Sequence, residues 1–182
     1  MQKVNITGRG RAREFKIPAE FLASNYYIFG QIKVMQSGLM GLMSDPHSSY
    51  LEINEANIAH IYKPEKIINF APVLCMVKAQ VVAVCLSKRE YVGTHAMMRG
   101  GYTRLIPYAV QLTTPVYEMS GTLEWAGRFE FSALMSEGTN AFFMLYDASI
   151  RAPLFSALHV ESPAVLVNRL FLDTLVQVRR GS

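Results

Sequence analysis

The groups that could do chemistry in this 182-residue chain are four histidines, a scatter of carboxylates and serines, and a few basic residues. His47, His60, His95 and His159 show none of the short recurring separations by which a tetrahedral zinc site draws its ligands. His159-Val160-Glu161 would set two ligating side chains on one face of a strand, which falls short of a metal site. Glu55 and Asp147 could serve as acid and base if they converged, but they fall in different halves of the chain, where a local hydrogen bond to a turn is the simpler role. Ser44, Ser132 and Ser136 have no base in a recognisable frame, and no Gly-x-Ser-x-Gly elbow is present. Gly8-Arg9-Gly10 lacks the spacing of a dinucleotide fingerprint, and there is no phosphate-binding P-loop. The expectation is therefore a protein that is not an enzyme and that carries no cofactor and no metal.

The charged residues allow a different chemistry. The formal net charge is +4, and the excess gathers at the ends, in Arg9, Arg11, Arg13 and Lys16 and in Arg179 and Arg180. A basic arm of this kind can hold phosphate, so a nucleic acid is a candidate partner. Lys78, Asn168 and Arg169 would join such a surface, although a solvated turn residue is the simpler reading of Lys78 and Arg169. Ten methionines and a single tryptophan offer material for protein contacts, with Met43, Met135 and Trp125 as interface candidates and core packing as the alternative. Cys75 and Cys85 sit in apolar runs and are expected to be buried, reduced thiols.

Positioning these groups is the task of a frame that the sequence writes twice. Ile17-Pro18 is matched with Ile106-Pro107, and the run Tyr27 to Ile32 with Tyr117 to Leu123. Leu42-Met43-Ser44 recurs as Leu134-Met135-Ser136, and Tyr50 to Ile58 recurs as Phe142 to Ile150. Pro72 to Lys78 recurs as Pro163 to Arg169. Five blocks in one order indicate an internal duplication. The halves are expected at 1–86, with the basic arm, and at 102–182, joined by a linker over 87–101.

Each half parses into short strands rich in Val, Ile, Tyr, Phe and Thr. Gly30 and Gly121 lie inside alternating strands, which predicts a bend or a close backbone approach. Leu-Met-Ser ends a turn-rich stretch. The last block is apolar on both sides of its corner, Val73 to Val77 and Val81 to Val84 in the first copy and Val165 to Val167 and Leu170 to Leu172 in the second, which predicts strands buried on both faces and meeting at a tight polar corner. Pro18 to Ala23, with proline near its start, predicts a short helix before the first barrel, and the duplication implies one before the second. The fold class is all-β, two tandem small and strongly bent barrels.

A bent glycine strand, a loop, a strand ending in acid-Ala, and two strands joined by a basic corner together resemble the Sm-like small-barrel pattern. Phe143-Met144-Leu145-Tyr146-Asp147-Ala148 looks like the end of its first signature and Val167-Asn168-Arg169-Leu170-Phe171-Leu172 like its second. The likeness spans about residues 26–86 and 116–178 and extends to uncharacterised bacterial domains of this pattern. It implies fold more than activity. RNA-binding members carry an Asp followed by a hydrophobic-Met-Asn group before the acid-Ala strand, and neither Asp45-Pro46-His47 nor Glu137-Gly138-Thr139-Asn140 reproduces it.

These features lead to two expectations. The first is a non-enzymatic scaffold or protein-interaction module that forms a homo-oligomer or larger assembly through its edge strands. The second is an RNA or single-stranded DNA binder using Arg9, Arg11 and Arg13 with Lys78, Asn168 and Arg169. No uncharged apolar run reaches the ~18 residues of a membrane-spanning helix, and no secretory signal is visible, so a cytoplasmic protein is expected.

Overall fold

A computed structural model describes residues 14–93, 104–136 and 141–178. The first half runs β1 (Phe15–Leu22), β2 (Tyr26–Val34), α1 (Gly38–Ser44), β3 (Tyr50–His60), β4 (Lys63–Val77) and β5 (Ala83–Leu86). The second repeats the series as β6 (Leu105–Thr113), β7 (Glu118–Ala126), α2 (Phe131–Ser136), β8 (Phe142–Ala152), β9 (Phe155–Asn168) and β10 (Thr174–Gln177). The polar corner of each half is a one-turn 3-10 helix, Lys78–Gln80 and Arg169–Phe171.

All pairings are antiparallel, and the strands lie in the order β10-β6-β7-β8-β9-β5-β1-β2-β3-β4. The all-β class is as expected. Each half contributes its fifth strand, then its first to fourth in turn, and β9 joins β5 to make one open ten-stranded sheet across the duplication. The strand frame places Gly30 opposite Ala19 and Gly121 opposite Val110. The equivalents of Ile17-Pro18 are thus Tyr108-Ala109. The match to Ile106-Pro107 is two residues out of register with the strand frame.

The glycine bend is present in both halves, and its cause is steric. A Cβ at Gly30 would lie 2.7 Å from the Asn54 carbonyl oxygen, and one at Gly121 would lie 2.8 Å from that of Tyr146. The register between β2 and β3 shifts at Gly30, and that between β7 and β8 shifts at Gly121. Opposite these bends stand Glu55 (φ 52°) and Asp147 (φ 46°), the two non-glycine residues with positive φ among the described residues. A residue in this left-handed conformation interrupts the two-residue period. The chain therefore buries Ala56 and Ala148 directly after the acid, against the bend.

The expected helix at Pro18 is a strand. Ile17, Ala19 and Phe21 are buried at a period of two, while Lys16 points outward, so packing overrides the proline signal. Pro18 falls outside Ala19–Leu22, the segment that pairs with β5, and so removes no donor from that ladder. The helices lie instead between the second and third strands, and Leu-Met-Ser forms the last turn of each. Six or seven residues are too few for a helix to hold itself. Leu39 and Leu134, both fully buried, dock α1 and α2 on the sheet.

Two hydrophobic cores result, and the central strands feed both. Val84, Leu86, Ala164 and Leu166 enter the core of the first half. Ala83, Cys85, Val165 and Val167 enter the core of the second. The continuous apolar run in β5 and at the end of β9 is thus buried on both faces, as the sequence predicts. The matching end of β4 is not. Val73 and Val77 are 54% and 51% exposed, and Cys75 is exposed where a buried thiol was expected. β4 is an edge strand, paired on one side with β3, and that is the physical reason.

Candidate functional site at the open sheet edges

The joint between β5 and β9 shows how two halves of this frame grip each other. Its register pairs Ala83 with Val167, Val84 with Leu166, Cys85 with Val165 and Leu86 with Ala164. Two buried polar side chains fasten its ends. The Asn168 amide donates from Nδ2 to the Val81 carbonyl at 2.9 Å, and its Oδ1 accepts from the Leu170 N–H at 3.1 Å. The Ser162 hydroxyl faces both the N–H (3.2 Å) and the carbonyl (2.9 Å) of Leu86. Farther out, Tyr117 donates to the Ala23 carbonyl at 2.6 Å. Burial pushes the Cys85 thiol and the Tyr117 phenol up from their ordinary values.

Arg89 completes the joint. It follows β5 and reaches over β8, where its guanidinium meets the Asp147 carboxylate at 2.5 Å and the Glu124 carboxylate at 3.7 Å. It also lies 4.6 Å from the centre of the Tyr146 ring. Burial, more than the neighbouring Glu124, raises the Tyr146 phenol; Arg89 works against it.

The counterparts of the two joint strands are the two ends of the sheet. β4 corresponds to β9, and β10 corresponds to β5. Ala164 and Asn168 are fully buried at the joint, whereas Val73 and Val77 stand in solvent on β4. Cys85 is 3% exposed, whereas Val176, its equivalent on β10, is 58% exposed. Ile67, Ile68 and Phe70 extend the apolar surface of β4. A long apolar edge strand with unpaired backbone groups is a template for another strand.

Arg9, Arg11 and Arg13 lie outside the described residues. Lys78 is buried, and its ammonium donates to the carbonyls of Leu42 at 2.6 Å and Asp45 at 3.1 Å, closing the end of α1. Desolvation lowers its pKa, and the Asp45 charge partly opposes that. Arg169 is buried at the matching corner, and its backbone N–H donates to Ala141 as that of Lys78 does to Ser49. Asn168 is the joint residue described above. Trp125 is half-buried on β7 and meets the Phe129 ring edge-on at 5.6 Å. Met43 is in the core, while Met135 on α2 is exposed.

Among the described residues, no three His, Cys, Asp or Glu side chains gather where they could hold a metal ion. His60 stacks between Tyr26 and Tyr62 at 5.2 and 4.8 Å. Ser149, His159 and Glu161 come together on the outer face, but the same imidazole nitrogen, Nε2, faces both the hydroxyl (3.1 Å) and the carboxylate (2.9 Å). A serine relay needs the base and its orienting acid on opposite ring nitrogens, so this trio is not arranged as one. No described helix is long and apolar enough to cross a membrane.

Sequence reasoning missed Arg89, which lies within the linker expected over 87–101. The signal that could have found it is the duplication itself: Lys88-Arg89 follows β5 as Arg179-Arg180 follows β10, at the same 91-residue offset that separates Gly30 from Gly121. No family model, curated protein or solved structure matches the chain.

Proposed function

We propose that this protein is a non-enzymatic assembly module, two Sm-like bent halves in one chain, whose copies join edge to edge with β10 of one on β4 of the next. One observation carries this. The chain already contains such a joint, β5 on β9, and the two strands left open are the duplication's copies of the two that form it. Carrying the internal register over pairs Thr174 with Met76, Leu175 with Cys75, Val176 with Leu74 and Gln177 with Val73.

The exposed apolar side chains on both edges support the proposal, since this contact would cover Val73, Val77 and Val176. The two edges differ from each other, so the contact is heterologous. Such a contact closes into a ring where the rotation per copy allows it and otherwise extends as a filament.

Native mass spectrometry from sub-micromolar to tens of micromolar protein tests the proposal. A ladder or a single closed oligomer is expected. A chain that stays strictly monomeric over that range removes it.

A further inference from the structure

We infer that Arg180 of one copy and Glu55 of the next form an ion pair that latches the contact between copies, the counterpart of Arg89 and Asp147 inside the chain. The inference rests on the edge-to-edge assembly proposed above and names the side chains that select its register and direction. Glu55 and Asp147 are the two described non-glycine residues in the left-handed region, a conformation that disfavours any side chain bearing a Cβ. Glycine would remove that cost, yet both halves place a carboxylate there, a glutamate in the first.

In the second half the carboxylate has a visible use. Asp147 projects from the bulge of β8, on the far side of β9 from β5, and meets an arginine that arrives three residues after the end of β5. The ion pair thus spans the joint and belongs to it. In the first half Glu55 sits at the equivalent bulge, exposed, on the rim of a groove that it shares with Gln31 and Phe70. Its carboxylate meets no basic side chain among the described residues. The strand that would bring a partner to it is the one that would pair with β4. That strand is β10 of another copy, and three residues after its end the sequence has Arg180. Arg180 lies outside the described residues, and its assignment comes from the 91-residue offset alone, Arg89 to Arg180.

The chemistry selects one polarity. An arginine following β10 meets a carboxylate only when β10 pairs with β4 in the register of the internal joint. A contact of β4 with a second β4 would bring Glu55 no cation from this position. The latch therefore favours head-to-tail growth over a symmetric dimer.

Charge reversal and its repair test the inference on the full-length chain. Glu55→Arg and Arg180→Glu each put like charges at the contact and are expected to raise the concentration at half-assembly about tenfold at low salt. Glu55 is exposed, and circular dichroism checks that each variant is folded. The double variant, Glu55→Arg with Arg180→Glu, restores an opposite pair in every contact and is expected to return assembly to within about threefold of the parent. The effect should shrink as salt rises from about 50 mM to 500 mM. A parent that assembles while the single reversals change nothing, or while the double variant is no better than the worse single, overturns the latch and leaves the edge contact standing. A parent that never assembles overturns both.

Discussion

Replacing Asn168 by valine separates what the joint residue does from what its repeat counterpart does. The counterpart is Val77, so Asn168→Val makes the halves more alike while removing one side-chain amide. Asn168 is fully buried, and its amide holds the Val81 carbonyl and the Leu170 N–H. Valine fills nearly the same space but supplies neither bond. The buried carbonyl, left without this donor, costs about 1–3 kcal/mol, and loss of the cap on the turn adds about 1 kcal/mol, for a total of about 3 kcal/mol. For a chain of this size that lowers Tm by about 6–12 °C. The reverse change, Val77→Asn, falls on a half-exposed edge position and should stay within about 0.5 kcal/mol in the dilute chain. Thermal and urea unfolding followed by circular dichroism measure both. An Asn168→Val variant as stable as the parent, or a Val77→Asn variant equally damaged, would refute the assignment of Asn168 as a fastener specific to the joint.

Three further outcomes follow from the same geometry. Leu175→Cys places a second thiol opposite the native Cys75 of a neighbouring copy, at the 4.5–5.5 Å Cα separation of an antiparallel pair, which suits a disulfide; mild oxidation should yield covalent multimers on a non-reducing gel, and their absence in a chain that assembles would exclude this register. Ala71→Ser with Val77→Asn gives β4 the two side chains that fasten β9, Ser162 and Asn168, and should tighten assembly about tenfold by analytical ultracentrifugation, with no tightening counting against an outer joint built like the inner one. Cys85, Tyr27, Tyr117 and Tyr146 are all raised by burial, so the folded chain keeps protons that the unfolded chain releases; that stability is whole below about pH 9 and drains away above it, against a smaller opposite contribution from the lowered Lys78. Urea midpoints should accordingly fall from pH 8.5 to pH 10.5, and a flat or rising midpoint would contradict the burial of these groups.

Much of the frame is legible in the amino-acid order. The duplication shows in five blocks, the bends show in Gly30 and Gly121, and the acid-Ala strand marks both bulges. Burial of β5 and of the end of β9 on both faces shows in runs without a polar residue. Other features are hidden for physical reasons. Val73 and Ala164 are apolar alike, and their different burial comes from whether a strand lies beside them, which no local pattern encodes. Pro18 carries a helix-start signal that three buried side chains at period two override. The Leu-Met-Ser helices are too short for a visible period and exist by docking. Lys78 carries the signature of a solvated corner, yet its ammonium is folded inward onto two carbonyls. At the site itself, Asn168 was visible as a polar break in an apolar run, while Arg89 could be found by extending the repeat beyond the strand it follows.

The strands shared by two cores also bear on how the chain can come apart and how it can change. Leu166 and Val165 are neighbours in sequence but belong to opposite interiors, as do Val84 and Cys85. Unfolding one half strips a face from strands that the other half needs, so the two should melt in one cooperative step although each is a full copy of the repeated segment. A substitution on either face of β9 is felt by both halves, which restrains independent drift of the duplicates in this region. The open edges carry no such restraint inside a single chain.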